Sequence, residues 1–288
     1  MNIKLLVILI TFNSEKVIEK CLVSISRQAL SDFKLLVIDN NSTDGTLKTV
    51  SHYFLNHQRL KNKTELLKKN QNIGFARAVN IGLKKALSEE YKAVLLINPD
   101  TYFDNKLFKN GIEELFSKKD IGACCPKILY PDGKVWWMGT RPLSIKEIVF
   151  GLDYGISKNT NQGKVISTKN EIFESDLLTG CIFFIKTKAI KKVGLFNENY
   201  FMYVEDFDYS LRLRKLNYRL SIFTNSVIYH SKDTINKISM RELRREKIAI
   251  TSYGKYILQN YSLYIFIIWL IKLPLILGFK FIWKFLCR

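Results

Sequence analysis

The sequence predicts an α/β protein with a mostly parallel sheet flanked by helices, followed by an apolar helical segment at its C-terminal end. Short apolar runs alternate with helical patterns from residue 1 to about residue 100, which is typical of repeated strand–helix units. From about Tyr256 the sequence becomes much more apolar. The 288 residues, 47% of them hydrophobic, can bury the core of one large domain and add an appendage.

Four apolar runs predict four parallel strands, because near-continuous apolar character is typical of strands that are buried on both faces. The first run, Leu5 to Ile10, is too short for a signal peptide and no small-residue cleavage site follows, so we expect a buried strand there. A helical pattern from about Ala76 to Glu89 precedes the fourth run. The runs are KLLVILIT, FKLLVIDN, ELLKKN and AVLLIN.

Open parallel sheets bind ligands beyond the carboxyl ends of their strands, so polar residues at those ends are the first functional candidates. No GxGxxG follows the first run and no GxxxxGK[ST] occurs, which argues against a dinucleotide fingerprint and a P-loop. A bound nucleotide is therefore held in another way. The polar residues at these ends are Thr11, Asn13, Asp39, Asn40, Asn72 and Asp100.

The second strand ends at Asp39, where a carboxylate can accept a hydrogen bond from a nucleobase or a ribose hydroxyl. The turn that follows leads into a helix, and capping by Ser42, Thr43 or Asp44 explains those residues. Asn72, Gly74 and Arg77 open the next helix in the same way. Gly74 permits a close approach, and the guanidinium of Arg77 is available to a phosphate.

The fourth strand ends in Asn98-Pro99-Asp100 and delivers a carboxylate to the ligand-binding edge. A hard cation such as Mg²⁺ or Mn²⁺ needs oxygen ligands and commonly bridges a carboxylate to a diphosphate, which makes Asp100 a candidate metal ligand. The alternative is an Asx turn after a strand, with no ligand at all.

Between Ile121 and Lys186 the pattern is mixed, with a loop-rich stretch at 151–171 that we interpret as an acceptor-facing insertion. A strand, CIFFIK, and a helix from about Thr187 follow. Next, Glu205, Asp206 and Asp208 open a further helix directly after an aromatic, apolar run.

These three acids can be explained without a catalytic role. Acidic side chains stabilise the first turn of a helix through its dipole, and Asp208 can form an i,i+4 pair with Arg212. The apolar setting instead predicts that one carboxyl is desolvated and raised in pKa, as a general base requires. His230 ends a later apolar run, SVIYH. A lone histidine there is more often structural, and it becomes a candidate metal ligand only if it meets Asp100 in space.

The net charge indicates which binding partners to expect, and the cysteine content indicates the cellular compartment. Lys and Arg outnumber Asp and Glu by 45 to 26, and the resulting net charge of +19 favours nucleotides, nucleic acid or anionic lipid. The basic residues are scattered and no recognition motif occurs, so we expect no nucleic acid partner. None of the five cysteines forms a CxxC pair or a zinc-type spacing, which predicts a reducing compartment.

Four ordered segments together resemble the inverting family 2 glycosyltransferases with the GT-A fold, in their rhamnosyltransferase-like branch. The resemblance spans roughly residues 3 to 231. The segments are VILITFNSEKVIEKCLVSI, VIDNNSTDGT, NIGFARAVNIG with LLINPDT, and TGCIFFIKTKAIKKVGLFNENYFMYVEDFDYSLRLR.

The resemblance implies a role for each matching residue. Asp100 takes the place of the last acid of the DxD motif, with Asn98 at the first position, and binds a divalent metal, Mg²⁺ or Mn²⁺, and the diphosphate. Asp206 is implied as the catalytic base with Glu205 beside it, and His230 completes the metal shell. The residues implied to contact the nucleotide sugar are Thr11, Asn13, Glu15, Asp39, Asn72, Gly74, Arg77, Asn98, Asp100, Thr179 and Gly180.

The implied reaction is a single displacement that moves a sugar, with rhamnose as the first to test, from a nucleotide diphosphate to a saccharide or lipid-linked saccharide. The implied setting is cell-surface polysaccharide or lipopolysaccharide synthesis. The alternative is a nucleotide-sugar-binding or scaffold protein without turnover, because a fold does not guarantee activity.

The apolar stretch from about Tyr256, interrupted by Lys272 and Pro274, predicts a helix pair lying in the membrane interface on the cytoplasmic face. Basic residues from Lys237 to Lys255 precede it. One alternative is a membrane-spanning helix over Tyr261 to Phe279, which nearly has the required apolar length. Another is packing on the catalytic domain or on a second subunit. We expect a catalytic domain over 1–235, divided into a nucleotide-sugar half of about 1–103 and an acceptor half of about 104–235, and a membrane-associating segment over 236–288.

Overall fold

The computed structural model describes residues 4–151, 155–159, 172–231 and 240–286. The strands are β1 (Leu5–Thr11), β2 (Phe33–Asp39), β3 (Thr64–Lys68), β4 (Ala93–Ile97), β5 (Thr101–Phe103), β6 (Ile121–Leu129), β7 (Val135–Trp137), β8 (Thr140–Pro142), β9 (Ser157–Asn159), β10 (Ile172–Glu174), β11 (Ile182–Lys186) and β12 (Arg219–His230). The helices are α1 (Glu15–Ser26), α2 (Thr46–Asn56), α3 (Gln58–Lys61), α4 (Phe75–Ser88), α5 (Leu107–Ser117), α6 (Ile145–Phe150), α7 (Thr187–Val193), α8 (Glu205–Lys215), α9 (Met240–Asn260) and α10 (Leu263–Leu286).

The N-terminal half of the sheet is parallel. Strand β1 pairs with β2 on one side and with β4 on the other, and β2 pairs with β3. Every residue of β1 and β4 is buried, because helices cover both faces of the sheet. The four predicted parallel strands are therefore confirmed.

The C-terminal half of the sheet is mixed. Strand β11 is antiparallel to both β4 and β6, so β6 runs in the same direction as β4. Strand β12 is parallel to β6. The carboxyl ends of β1, β2, β4, β6 and β12 consequently meet at one edge of the sheet, where side chains from distant parts of the sequence converge.

The C-terminal helices α9 and α10 pack on each other, and α10 also packs on α6. The break between the two helices falls at Tyr261 and Ser262, and α10 continues as a single helix through Pro274. Within the described ranges, no helix has the length and apolar character that crossing a membrane requires. Lys237, most of the loop at 151–171 and the predicted boundary at 235 lie outside the described residues.

Candidate active site

The ends of β1 and β2 hold a buried carboxylate in place. Thr11 and Asp39 are register partners, and the Thr11 hydroxyl donates to Asp39 Oδ1 at 2.9 Å. The amide of Ser42 donates to Asp39 Oδ2 at 2.9 Å, and its hydroxyl donates to Oδ1. Ser42 therefore orients Asp39, whereas our prediction made it one of three candidate helix caps.

Asn13 and Glu15 face the loop that leads into α2. The Asn13 side-chain oxygen accepts the amide of Thr43 at 2.8 Å, and Glu15 accepts the amide of Gly45 at 3.1 Å. The N-cap of α2 is Gly45 and none of the three predicted residues, although the carboxylate of Asp44, the residue before it, accepts the amide of the first helical residue at 3.0 Å. Both predicted residues thus help to fix the loop beside Asp39.

The turn before α4 is organised by Asn40, a strand-end candidate to which the family resemblance gave no role. Its amide nitrogen donates to Asn72 Oδ1 at 2.9 Å and to the Gly74 carbonyl at 3.2 Å. Its position directly after β2 was the signal that marked it. Arg77, one turn into α4, has a side chain that is 59% exposed and lies 3.7 Å from Glu198, which leaves the guanidinium accessible.

Gly74 has a backbone φ of +87°, which side chains disfavour, and a β-carbon there would lie 2.6 Å from the Phe201 carbonyl oxygen. We predicted that this glycine allows a close approach. The structure shows that the group approaching it is the backbone of Phe201, whose carbonyl accepts the Phe75 amide at 2.7 Å.

The end of β4 brings Asp100 to His230. Thr101 of β5 is the register partner of His230 in β12, and Asp100 Oδ2 lies 3.3 Å from His230 Nε2. The imidazole ring also stacks on Trp136, with ring centroids 4.4 Å apart and an interplanar angle of 3°. The spatial condition that we set for His230 as a metal-ligand candidate is therefore met.

Asp206 begins the first turn of α8 and is fixed at both oxygens. The amide of Gly180 donates to Oδ2 at 2.7 Å, and the amide of Phe207 donates to Oδ1 at 2.8 Å. Burial raises the pKa of the Asp206 carboxyl, and these two hydrogen bonds oppose part of the rise. The direction agrees with the tuning expected of a general base.

Glu205 is more deeply placed, with 5% of its surface exposed. Burial raises its pKa well above the ordinary value, and the neighbouring charge of Asp206 adds to the rise. Burial therefore disfavours the ionised form of Glu205. Asp206, which is partly exposed, is the carboxylate that a substrate can reach.

The segment 179–181 connects the two halves of the site. The amide of Asn98 donates to the Cys181 carbonyl at 2.9 Å, and the adjacent Gly180 binds Asp206. Burial raises the pKa of the Cys181 thiol, and the charges of Asp100 and Asp206 raise it further because both carboxylates lie near it. The structure thus brings both predicted acids to one place.

The residues before α8 adopt a strained backbone that the sequence did not signal. Tyr203 and Val204 have φ angles of 68° and 77°, in the left-handed region that β-branched residues avoid. Such strain persists where the surroundings enforce it, and it clusters at functional sites. Here the strained pair lies directly before α8, one residue away from Asp206.

No group of three or more His, Cys, Asp or Glu side chains with the arrangement of a metal site occurs among the described residues. Asp100 and His230 are the neighbouring pair of predicted site residues that could together hold a divalent cation. A separate groove of about 960 Å³ is lined by residues such as Arg27, Tyr53 and Arg59, and none of the predicted site residues lines it.

A family profile described as "Glycosyl transferase family 2" matches residues 6–194. The chain belongs to glycosyl transferase family 2. It is a glycosyltransferase, as the four sequence segments predicted. The matched region includes Asp39, Asp100 and Gly180, whereas Asp206 and His230 follow it.

This glycosyltransferase is 26% identical over 238 residues to the N-acetylglucosaminyl-diphospho-decaprenol L-rhamnosyltransferase of Mycobacterium tuberculosis, which covers 78% of this chain and 75% of that enzyme. It is 34% identical over 110 residues to the poly(ribitol-phosphate) beta-N-acetylglucosaminyltransferase TarS of Staphylococcus aureus, over 38% of this chain and 18% of TarS. The predicted rhamnosyltransferase-like branch is confirmed by the first similarity.

The glycosyltransferase also shares its fold with the mannosyltransferase PcManGT from Pyrobaculum calidifontis, solved with GDP-Man and Mn²⁺. The TM-score is 0.61 at 17% identity, over 90% of this chain and 65% of that one. The chain thus spans a little under two thirds of that structure. The mostly parallel α/β sheet is consistent with the GT-A fold.

Proposed function

We propose that this glycosyltransferase transfers a sugar, with inversion, from a nucleoside diphosphate to a lipid-linked saccharide during synthesis of a cell-surface polysaccharide. The observation that carries the proposal is that segment 179–181 contacts the surroundings of both acids: the Gly180 amide binds Asp206, and the Cys181 carbonyl accepts the amide of Asn98, two residues before Asp100. Burial raises the pKa of the Asp206 carboxyl, as a general base requires. Asp100 lies beside the imidazole of His230, and the two side chains could bind a cation. A displacement on a sugar diphosphate needs these two functions.

Asp206 acts as the base in this proposal. Its carboxylate removes the proton from an acceptor hydroxyl, whose oxygen forms a bond to the anomeric carbon while the bond from that carbon to the diphosphate oxygen breaks. The proton stays on Asp206 and the nucleoside diphosphate leaves. Because attack and departure occur on opposite faces in one step, the anomeric configuration inverts and no glycosyl-enzyme forms.

Asp100 and His230 are the residues that would hold a divalent cation. Their oxygen and nitrogen donors lie 3.3 Å apart, and the mixed set suits Mn²⁺. A cation bound there supplies charge neutralisation to the departing diphosphate. Asn98 contributes an amide where a strict DxD motif has a carboxylate, so Asp100 provides the local negative charge.

The donor nucleotide lies along the ends of β1 and β2 in this proposal, where the buried Asp39 carboxylate accepts a hydrogen bond from the nucleoside. Arg77 is accessible to the phosphates, and Thr179 and Gly180 adjoin the sugar. The loops that support this pocket contain Thr11, Asn13, Glu15, Asn72 and Gly74.

The acceptor assignment is supported by the Mycobacterium tuberculosis relative, whose name specifies a diphospho-decaprenol-linked N-acetylglucosamine as its acceptor and rhamnose as its donor sugar. TarS is named for a poly(ribitol-phosphate) acceptor. Both acceptors carry phosphate, which fits the net charge of +19 on this chain.

A panel of nucleotide sugars tests the proposed function. We expect one donor, with dTDP-rhamnose tried first, to be hydrolysed slowly in the presence of Mn²⁺ and to raise the melting temperature. With a lipid-linked saccharide, the product should have the inverted anomeric configuration by NMR. A product of retained configuration, or no stabilisation by any donor, would reject the proposal.

We also propose that the C-terminal helices rest on an anionic membrane surface at the cytoplasmic face. Exposed apolar residues repeat every four positions along α10, so that they form one stripe, while Trp269 on another face is 2% exposed. Phe150 of the adjoining α6 is 82% exposed. The residues of the stripe are Leu263, Ile267, Ile271 and Leu275.

Replacing Ile267 and Ile271 together by Gln is expected to release the protein from vesicles that contain phosphatidylglycerol. Burying each aliphatic side chain contributes about 2 kcal/mol, so partitioning should fall more than 10-fold in a flotation assay. Leu216→Gln, at an exposed site in another region, is the control. Unchanged flotation together with a dimer that becomes a monomer would assign the stripe to a second subunit.

A further inference from the structure

The loop that precedes the catalytic helix is held from two sides. We name residues 199–204 the base loop, because it leads into α8, where Asp206 is the second residue. The two left-handed residues, Tyr203 and Val204, end this loop. A conformation that side chains disfavour relaxes unless neighbouring groups hold it, so the contacts of the base loop decide where Asp206 lies.

Three carbonyls of the base loop accept hydrogen bonds from other elements. The Phe201 carbonyl accepts the Phe75 amide at the start of α4, on the nucleotide side of the site, at 2.7 Å. The Asn199 and Met202 carbonyls accept the Lys255 ammonium and the Ser252 hydroxyl, both from α9, at 2.9 Å each. Helix α9 and the start of α4 therefore both hold the loop through its carbonyls.

Side chains extend the contact between α9 and the base loop. The Tyr200 hydroxyl donates to Gln259 at 3.1 Å. The rings of Phe207 and Tyr256 meet edge to face, with centroids 4.9 Å apart. These rings belong to a second hydrophobic core that lies apart from the core of the main sheet. Its buried members are Leu143, Ile148, Ile156, Leu177, Tyr200, Val204, Phe207, Tyr256, Ile257 and Trp269.

Ser252 of α9 binds the base loop directly beside the strained pair of residues. It is 3% exposed, so its hydroxyl needs a partner inside the protein, and the partner is the carbonyl directly before the strained pair. Loss of this bond leaves the Met202 carbonyl free to turn, and the left-handed conformation at Tyr203 and Val204 loses a restraint. The base loop leads into α8, where the Asp206 carboxylate accepts the Gly180 amide, so a change in the loop would alter this hydrogen bond.

We propose that α9 is part of the catalytic machinery and that Ser252 is a positioning residue, which fixes the base loop so that Asp206 is held against Gly180. The inference rests on the proposed function, since it takes Asp206 as the base. It assigns the C-terminal helices a role in the chemical step, beyond attachment to a membrane.

Ser252→Ala tests the inference, with Thr251→Ala as a matched control. The Thr251 hydroxyl donates to the Lys247 carbonyl within α9 and is exposed, so the control removes a neighbouring hydroxyl without touching the base loop. We expect Ser252→Ala to lower kcat about 10-fold, the loss of one buried hydrogen bond, and to leave the Kd for the nucleoside diphosphate unchanged. Thr251→Ala should change neither quantity.

Hydrogen exchange provides a readout that needs no substrate. In Ser252→Ala, the peptides that contain Gly180 and residues 203–208 should exchange faster, while peptides of β1 and β2 should not change. Tyr200→Phe, which removes the hydroxyl bonded to Gln259 and keeps the ring, should lower kcat in the same way. It serves as the test if Ser252→Ala does not fold.

Normal kcat in both variants, despite faster exchange, would overturn the inference and leave α9 a purely structural element. Failure of the proposed function gives a different result, because Asp206→Asn would then retain turnover whatever the Ser252 variant does. An inactive Asp206→Asn beside a fully active Ser252→Ala would reject only the role of α9.

Discussion

Asp206→Asn is expected to lower kcat for sugar transfer by about 10²–10⁴-fold, the contribution typical of a general base. The side-chain amide keeps the size of the carboxylate but has a single acceptor oxygen, so it can accept only one of the Gly180 and Phe207 amides, and the fold should persist. It cannot take a proton from the acceptor hydroxyl. The Kd for the nucleoside diphosphate, measured by calorimetry, should stay within a factor of about two, since the base does not bind the donor.

The pH profile of the unmodified enzyme should report the same group. Burial raises the pKa of Asp206, so the ionised and active form is lost as the pH falls through a value above the ordinary aspartate pKa of about 3.9. The acidic limb of kcat/KM should therefore lie at a higher pH than an exposed aspartate would give. Asp206→Glu should keep such a limb at a lower rate, whereas Asp206→Asn should lack it.

Asp208→Asn is the matched control, because Asp208 lies in the same helical turn and pairs with Arg212 at 2.8 Å. Its loss removes an i,i+4 ion pair and should cost about 0.5 kcal/mol of stability, with kcat unchanged. If Asp206→Asn turns over normally, the base is elsewhere. If Asp208→Asn is as inactive as Asp206→Asn, the effect comes from distortion of α8.

Local patterns were sufficient to predict the parallel half of the sheet. The four apolar runs became β1, β2, β3 and β4, because strands buried on both faces have few polar positions to confuse the pattern. The strand ends carried the site signal in the same way. Asp39 is the last residue of a buried strand and Asp100 follows another, so topology alone brings them to one edge.

Contacts between distant segments could not be predicted from local patterns. The approach of Asp100 to His230 depends on pairing between β5 and β12, which are separated by more than 100 residues. From the sequence, contact between Asp100 and His230 could be stated only as a condition for His230 to be a candidate metal ligand. Val204 in a left-handed conformation contradicts its intrinsic preference, since the surrounding contacts override it. Ser252 carried no signal, because its meaning comes from the carbonyl that it meets.

Asp100→Asn is expected to lower kcat/KM by about 10²–10³-fold, the loss typical when one group that stabilises developing charge is removed. The leaving diphosphate gains negative charge as the sugar departs, and Asp100 with His230 would hold the cation that neutralises it. The carboxamide keeps the shape and loses the charge that attracts a cation. The requirement for Mn²⁺, measured as the half-saturating concentration, should rise together with the loss of rate.

Two further variants separate cation binding from general damage to the site. His230→Gln should raise the half-saturating Mn²⁺ concentration less than Asp100→Asn, because it removes a neutral donor while the carboxylate stays. Asn98→Asp restores the second acid of a strict DxD motif and should lower that concentration, since each added carboxylate strengthens attraction for a hard cation. Asp132→Asn, in an exposed turn beside Lys134, is the control.

A reaction that needs no metal would give a different set of results. Full activity of the unmodified enzyme in excess EDTA would show that the departing diphosphate is stabilised without a metal, and the Asp100 and His230 contact would then be an ion pair or hydrogen bond that fixes the end of β4 against β12. In that case Asp100→Asn should lower the melting temperature as well as the rate. The metal proposal instead requires that Asp100→Asn lowers the rate while the melting temperature of the metal-free protein stays nearly constant. Measuring the rate and the melting temperature of this variant therefore distinguishes cation binding from a structural contact.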